Sequence, residues 1–325
     1  MRRTWLFWSF CYVCALLMIF MAQMLHASAP LELTSNNELD DCAAAAVRAT
    51  CEQYADEKLR EDELALTILD LRDSANIRSG SFRGDAPTFP ASVVKLFYLA
   101  AAHQWLEEGK LTDSEELRRA MRDMIVDSSN DATAMILEAL TQAPGGEPLA
   151  AEQMKQWSDK RNAVNRYFGS IGYTIGGERG INACQKTYCE GPYGRERIFL
   201  GNKYENRNKL TTDATARLLA EIVSRSAVTP QCCDQMMKLL HRDRTARSGG
   251  ADDQAHGFVA KALSPGDKLW SKAGWTSTAR HDAAYIETEE GLRAILVIFT
   301  TGHSRNREII PTIARKLIDA LRQSK

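Results

Sequence analysis

Strand patterns lie near both ends of this chain, and helical patterns fill the long stretch between them. Alternating or buried strand patterns occur at 64–70, at 75–82, at 268–272, at 283–288 and at 293–299. Helical periodicity runs from Val93 to about Leu240 and returns in a final amphipathic helix from about Asn306 to Leu321. The sequence therefore predicts an α+β fold, in which both chain ends build one antiparallel sheet and an all-helical subdomain is inserted between them.

Length and charge favour a globular protein with a large core. A chain of 325 residues can hold one large domain or two interleaved ones. The formal net charge is −1 at pH 7, and neither this charge nor its distribution indicates a nucleic-acid-binding surface.

The first 29 residues have the composition of an export segment. Two arginines at positions 2–3 precede an uncharged, mostly apolar run at 5–25. Small residues at 27–29 suit a signal peptidase, but Pro30 disfavours cleavage directly before it, and the run is long enough to span a bilayer. We expect an exported protein, periplasmic or secreted, whose segment 1–29 is either a cleaved signal peptide or a retained membrane anchor.

Six of the eight cysteines lie outside this export segment. An even number of cysteines in an exported chain indicates disulfide bonds. Proximity along the chain favours bonds between Cys42 and Cys51 and between Cys184 and Cys189, whereas adjacent cysteines at 232–233 are hard to pair with each other.

The rest of the chain divides into a short N-terminal segment and one domain. Residues 30–62 are polar and alanine-rich, with a helical pattern from Cys42 to Tyr54, and are predicted to form a linker or N-terminal helical segment. The domain is predicted to span 63–325. Its parts are a sheet lobe at 63–91 and 258–325 and a helical lobe at 92–257.

A serine and a lysine stand one helical turn apart at the start of the helical lobe. Residues three apart share a helix face, so the Lys95 amine can reach the Ser92 oxygen and, when partly desolvated, accept its proton. Pro90 and Ala91 suit a helix start, where free backbone N–H groups favour negative charge. An isolated Ser-x-x-Lys is more often a capping serine followed by a solvated lysine.

Two further short motifs follow in the chain. The polar turn 127–131 precedes a helical pattern and places Ser128 and Asn130 at a helix entry, although an ordinary capped turn is the simpler interpretation. Lys272-Ala273-Gly274 belongs to a strand pattern, with a lysine and then a glycine where a backbone can approach a ligand closely. An edge strand blunted by lysine is the simpler interpretation there.

Taken together, the three motifs have the order and spacing of an active-site serine enzyme. From about Leu64 to the C-terminus, the chain resembles the class A β-lactamases and penicillin-binding proteins, which carry this motif set. Residues 209–216 also look like the helix start that follows the family's active-site loop. The resemblance implies a five-stranded antiparallel sheet flanked by helices. The sequence departs from the family at Ser129, where the lactamases usually have aspartate, and at Ala273, where threonine or serine is usual.

The resemblance also implies roles for the motif residues. Ser92 would attack an amide carbonyl while Lys95 takes part in its deprotonation, and Ser128, assisted by Lys272, would relay a proton to the leaving nitrogen. The implied substrate-binding residues are Asn130, which contacts the substrate amide, Gly274, Trp275, whose N–H joins that of Ser92 at the oxyanion, and Thr276, which binds the substrate carboxylate together with Lys272.

The family's deacylating glutamate has no matching motif here. Class A lactamases place it in a Glu-x-Glu-Leu-Asn loop, and the corresponding region at 181–197 has no such string. Glu190 is our first candidate for the base, since it follows the predicted Cys184 to Cys189 bond and precedes Gly191-Pro192. Glu196 lies between two arginines that we expect to engage it. We therefore expect slow deacylation.

Other chemistries lack their sequence signals. The six histidines form no pair at metal-ligand spacing, so we expect no metal and no cofactor. The glycines at 169–180 lack the flanking strand and helix of a dinucleotide loop, and there is no Gly-x-Ser-x-Gly elbow.

The sequence is therefore interpreted as a β-lactamase-like serine hydrolase that degrades β-lactam antibiotics. One alternative is a D-alanyl-D-alanine peptidase or related cell-wall hydrolase or esterase. Another, of a different class, is a non-catalytic penicillin-recognising domain. The expected partner is a small-molecule β-lactam or a D-Ala-D-Ala peptide, with no nucleic acid, and we expect a monomer.

Overall fold

A computed structural model describes residues 31–188, 191–250 and 252–324 of the chain. The predicted export segment 1–29, Cys189 and Glu190 lie outside the described residues. No helix within the described ranges is long and apolar enough to cross a bilayer.

One sheet of six strands organises the described residues, in the order β1-β3-β2-β6-β5-β4. The strands are β1 Leu33–Ser35, β2 Leu64–Asp70, β3 Ile77–Phe82, β4 Lys268–Trp275, β5 Ala279–Glu287 and β6 Arg293–Thr301. All neighbours pair antiparallel except β1, which pairs parallel to β3. The predicted α+β class is confirmed. The predicted five-stranded antiparallel sheet is wrong, since the sheet has a sixth strand, β1, that pairs in parallel. The sequence gives no sign of β1 because its three residues are too few to show a period.

The described part of the chain also contains ten α-helices. They are α1 Asn37–Gln53, α2 Lys95–Glu107, α3 Glu115–Ile125, α4 Asn130–Thr141, α5 Ala151–Arg161, α6 Ala163–Ser170, α7 Gly194–Leu200, α8 Thr212–Val223, α9 Pro230–Leu240 and α10 Ile309–Gln323. Both chain ends supply strands and the intervening residues are mainly helical, as the sequence predicts.

The core has a helical layer on each face of the sheet. The main apolar cluster joins α1 and α10 to alternate residues of the sheet, such as Leu66 of β2 and Leu296 of β6. Because side chains alternate across a strand, the residues between them face the opposite side, where α8 packs on β2, β5 and β6. The strands buried on both faces read in sequence as nearly continuous apolar runs.

Residues of the predicted linker belong to this core. Leu39, Ala43 and Val47 of α1 are buried in the main cluster. A Cβ atom on Gly80 of β3 would lie only 2.4 Å from the Leu39 backbone, so glycine is what allows α1 to lie directly on the strand. The N-terminal segment therefore contributes to the same packed unit as the sheet.

The cysteine predictions fare differently. Cys42 and Cys51 are free thiols on the single helix α1, where nine residues separate them by about 13 Å along the axis. That separation is far too great for a disulfide, so the prediction of their pairing is wrong. Cys184 is a buried free thiol that donates to Asn182 Oδ1 at 3.0 Å, while its predicted partner Cys189 lies outside the described residues.

Candidate active site

Ser92 lies in a short 3-10 turn, Ala91–Val94, that leads into α2 at Lys95. Ala91 has a φ of +46°, a left-handed conformation that costs energy for a residue with a Cβ. Val93 and Val94 are fully buried whereas Ser92 is partly exposed. Buried neighbours thus hold the serine at the surface of the site, in a tighter turn than the regular helix that the sequence predicts.

Lys95 connects the first motif to the second. Its side chain is fully buried, and Nζ donates to the Ser128 carbonyl oxygen at 2.6 Å, to Asn130 Oδ1 at 2.9 Å and to Ser128 Oγ at 3.3 Å. The amine is therefore oriented towards Ser128 by three neutral oxygen atoms.

Ser128 and Asn130 lie on either side of a helix cap. Ser128 has a φ of +56°. Ser129 is the N-cap of α4, and its Oγ accepts from the Ala132 N–H at 3.1 Å. Serine and aspartate are about equally good N-caps, so serine at this position starts the helix as well as aspartate would. Asn130 is then the first residue of α4.

Lys272 joins the third motif to the second. Its side chain is 1% exposed, and Nζ donates to Ser128 Oγ at 3.0 Å and to the Ala273 carbonyl oxygen at 2.6 Å. Burial, and then the positive charges of Lys95 and Arg242, hold the pKa of Lys272 well below its usual range. Ser128 Oγ consequently lies between two buried amines.

The edge strand β4 packs directly against the Ser92 turn. A Cβ atom on Gly274 would lie 2.7 Å from the Ser92 nitrogen and 2.9 Å from the Val93 nitrogen. Because backbone atoms cannot move aside as the end of a flexible side chain does, only glycine permits this approach. The close approach found at Gly274 is between the strand and the Ser92 turn, and the predicted approach to a ligand at this glycine stays a prediction.

The Trp275 amide points off the edge of the sheet, away from β5. Thr276 N–H donates across the hairpin to the Ala279 carbonyl at 2.8 Å, and hydrogen-bonded pairs alternate along an antiparallel ladder. The amides of Ala273 and Trp275 must then face away from β5. Consistent with this, the Ala273 N–H donates at 2.9 Å to a side chain outside the sheet, that of Gln254.

A cleft of about 320 Å³ lies in front of these groups. Its lining includes the predicted residues Ser92, Asn130, Trp275 and Thr276. The loop that carries Tyr188, Gly191 and Pro192 forms the facing wall. None of the described lining residues is an aspartate or a glutamate.

Glu196 stabilises that loop and does not line the cleft. It is buried, and its carboxylate accepts from Arg161 at 2.5 Å and from Tyr188 Oη at 2.8 Å, with Lys186 Nζ at 3.5 Å. The expectation that the adjacent arginines engage it is wrong, since their guanidinium groups donate to backbone carbonyls of Glu147 and Gly201. The other candidate, Glu190, lies outside the described residues, and its assignment stays a prediction.

Two polar side chains of the site escape the sequence analysis. Gln254 and Arg242 both lie behind Lys272, in the stretch between α9 and β4. Neither belongs to a recognisable motif, and a glutamine in a polar loop gives no sequence signal of burial. In the part of the chain that the structure describes, no group of three or more histidine, cysteine or acidic side chains is placed to hold a metal ion.

Comparison with known proteins places this architecture. The sequence model of the Beta-lactamase enzyme family matches residues 115–321. No protein with a curated description matches the chain.

Solved structures share the fold at low sequence identity. A β-lactamase from Sphaerobacter thermophilus DSM 20745 is 16% identical with a TM-score of 0.57, and the match covers 88% of this chain and 98% of that one. PBP-A is 16% identical with a TM-score of 0.60, covering 91% and 99%. A variant of the last common ancestor of Gram-negative bacteria β-lactamase class A is 17% identical with a TM-score of 0.62, covering 86% and 100%. The family match spans more than half of the sequence and the fold agrees with it, so the chain belongs to the Beta-lactamase enzyme family.

Proposed function

We propose that this protein is a serine hydrolase that opens β-lactam amide bonds through an acyl-enzyme at Ser92. The observation that carries the proposal is the position of Ser128 Oγ, 3.3 Å from Lys95 Nζ and 3.0 Å from Lys272 Nζ. Two buried amines that share one hydroxyl beside a serine-lined cleft form a proton path.

In the proposed acylation, the Ser92 oxygen attacks the amide carbonyl and its proton passes to Lys95, whose amine must first release one of its own protons to act as the base. The tetrahedral oxyanion is held by the Ser92 and Trp275 N–H groups, and one such pre-aimed donor contributes about 3 to 4 kcal/mol. Ser128 donates its proton to the leaving nitrogen as the carbon–nitrogen bond breaks, and one of the two lysines reprotonates it. The negative charge on the oxyanion is therefore stabilised by two N–H donors, and the leaving nitrogen is protonated as it departs.

The charge of the site favours substrates that carry a carboxylate. Lys95, Lys272 and the neighbouring Arg242 bring three basic side chains close together, and all three are buried. Thr276 is exposed at the cleft and supplies a hydroxyl. β-Lactams and D-alanyl peptide ends both present a carboxylate near the scissile amide, so both fit this site.

Deacylation is proposed to be the slow step. The described residues that line the cleft include no carboxylate to activate a water molecule. Glu190 is the proposed base, since Tyr188 and Gly191 close to it in the chain both line the cleft. The absence of a carboxylate among the described lining residues also favours a D-alanyl-D-alanine peptidase as the second candidate function. A PBP-A mutant has been solved as an acyl-enzyme complex with penicillin-G.

The cellular setting is proposed from the sequence alone. We propose that the protein is exported and acts as a monomer on small molecules or peptide ends, with residues 5–25 either removed or retained as an anchor.

The test is covalent labelling of the purified protein followed by turnover measurements. After incubation with a penicillin, peptide mass spectrometry should find one adduct, on the peptide that contains Ser92. Ser92→Ala should remove it and Ser170→Ala, an exposed serine of α6, should not. A chromogenic cephalosporin and a D-Ala-D-Ala peptide then separate the two enzymatic candidates. An adduct elsewhere would refute the mechanism, and no adduct at all would favour a non-catalytic domain.

A further inference from the structure

The Gln254 side chain connects three parts of the candidate active site. Its Oε1 accepts from the Ala273 N–H at 2.9 Å, from Arg242 Nη2 at 3.1 Å and from Lys272 Nζ at 3.2 Å. Its Nε2 donates to the Val126 carbonyl oxygen at 3.3 Å, two residues before Ser128. One buried amide group therefore contacts the third motif, the edge of the sheet and the backbone just before the second motif.

The Lys272 amine depends on this amide oxygen. An ammonium group has three N–H donors, and the described acceptors are Ser128 Oγ, the Ala273 carbonyl and Gln254 Oε1. In a fully buried position, an acceptor that is lost leaves a donor unsatisfied or lets the amine turn towards another partner. The direction of Lys272 towards Ser128 is thus fixed by the other two contacts.

The charged groups around Lys272 do not supply an alternative anchor. Lys95 faces it from α2 and Arg242 from the stretch after α9, and both repel its charge. Asp282 of β5 attracts it, but this buried carboxyl accepts from the Val259 N–H instead of from the amine. His281, on the opposite face of β5 from Asp282, is buried, and its Nδ1 accepts from the Thr300 N–H while its Nε2 donates to the Phe89 carbonyl.

The loop around Gln254 is itself held in place. The neighbouring Asp253 accepts from the Gly249 and Ala255 N–H groups at 2.7 and 2.8 Å. His256 bonds to Asp253 at 2.8 Å and to the Arg244 carbonyl at 3.2 Å. Arg242 donates to the Ser271 carbonyl of β4 at 2.7 Å. The amide of Gln254 is therefore presented from a braced loop.

We propose that Gln254 is a positioning residue, whose amide oxygen holds the Lys272 amine against Ser128. This role rests on the proposed acylation of Ser92. In this role, a polar side chain from a loop without a family motif positions the lysine of the third motif.

Two substitutions of similar size separate positioning from packing. Gln254→Glu keeps an acceptor oxygen and adds a negative charge, whereas Gln254→Met keeps the volume and removes the acceptor. Both variants lose the Nε2 donor to the Val126 carbonyl, so the comparison between them isolates the acceptor. Gln156→Met, at an exposed site on α5, is the matched control. The first readout is the pKa of Lys272, measured by NMR titration of protein labelled with 13C-lysine and assigned with Lys272→Arg. The second is the rate constant for labelling by a fluorescent penicillin between pH 5 and 10.

Gln254→Glu should raise the pKa of Lys272 by at least about one unit, because an adjacent negative charge favours the ammonium form. Its pH profile of labelling should move in the same direction. Gln254→Met should label between about tenfold and hundredfold more slowly, as expected for a misplaced proton-transfer group. Gln156→Met should match wild type in both readouts.

The proposal fails if Gln254→Met labels at the wild-type rate, or if Gln254→Glu leaves the pKa of Lys272 unchanged. If Gln254→Met does not fold, the pKa of Lys272 in Gln254→Glu decides whether the proposal stands. If the wild-type protein is not labelled at all, the proposed function is lost, and the NMR titration still decides whether Gln254 holds Lys272.

Discussion

At the scale of residues, Ser128 is where the three motifs meet. Lys95 approaches its side-chain oxygen from α2 and Lys272 approaches it from β4. Ser128 has a left-handed backbone conformation, which costs conformational energy. The surrounding contacts offset that energy, as is common at functional sites. The two amines differ in their other partners, so we expect them to differ in function.

Substituting each lysine should separate these functions. Lys95→Ala should slow acylation by at least about a thousandfold, because it removes the proposed general base next to the nucleophile. Lys272→Ala should slow acylation less than Lys95→Ala, by about ten- to a hundredfold, and should also raise the KM of substrates that carry a carboxylate more than that of their methyl esters. Steady-state and single-turnover kinetics on acid and ester pairs measure both effects.

Lys160→Ala, at an exposed position on α5, is the control for loss of a lysine. Equal and mild effects of Lys95→Ala and Lys272→Ala would contradict the assignment of roles.

The residues that sequence analysis found are those whose types and spacings are themselves the signal. Ser92 and Lys95 are three apart, and Gly274 follows two residues after Lys272. Gln254 was missed because its importance comes from a loop that returns to the site, and nothing in the local sequence encodes that path. Contacts between residues so far apart are set by the tertiary structure alone.

At the scale of elements, the start of α4 carries both stability and function. Ser129 caps the helix through the Ala132 N–H, and its carbonyl accepts from Thr133 Oγ1 at 2.6 Å. Ser129→Ala should lower the free energy of unfolding by about 1 kcal/mol, the usual cost of losing an N-cap. Ser129→Asp should retain it, since aspartate caps equally well. Urea unfolding at pH 7 measures the difference, and an unchanged stability of Ser129→Ala would argue against the cap.

The contact between β4 and the Ser92 turn gives a second prediction at this scale. Gly274→Ala places a methyl group against the Ser92 and Val93 backbone nitrogens, so strand and turn must separate. Displacing the oxyanion donors should lower the acylation rate by on the order of a hundredfold. Gly249→Ala, where the nearest atom is 3.7 Å away, is the control. An acylation rate that survives Gly274→Ala would mean that the turn and the strand need not touch.

Elements were predicted best where their pattern is long. The apolar run of β6 and the periodic residues of α10 gave correct types with boundaries off by a few residues. The strand β1 was missed because three residues cannot show a period of two. Its pairing with β3 depends on the parallel register Leu33 to Ile77, which is a property of the assembled sheet.

At the scale of the whole molecule, distant parts of the chain depend on one another. β2 pairs along its full length with β6, from Leu64 opposite Thr300 to Asp70 opposite Ala294. The nucleophile turn follows β3, while the lysine of the third motif is on β4 at the other edge of the sheet. The site is therefore assembled only when the sheet has formed from both chain ends, so stability and activity should be lost together.

Two buried histidines make this stability depend on pH. Burial lowers the pKa of His103 and of His281 from 6.5 to about 4. An unfolded chain binds these protons at about pH 6.5 and the folded chain only near pH 4, so stability is lost as the pH falls through that window. Asp282 acts in the opposite direction, since burial raises the pKa of its carboxyl to about 6, but it offsets only one of the two histidines.

His103 is the better probe of this effect. Neither of its ring nitrogens has a hydrogen-bond partner among the described residues, whereas His281 bonds to Phe89 and Thr300. His103→Leu should therefore remove the titration without breaking a hydrogen bond. At pH 5 the wild-type histidine should have lost about 2 kcal/mol of its contribution relative to pH 8, and the variant should lose correspondingly less. Urea unfolding at both pH values, with the exposed His241→Leu as control, measures this difference. If His103→Leu and the wild-type protein lose the same stability between pH 8 and pH 5, His103 is not the group that titrates.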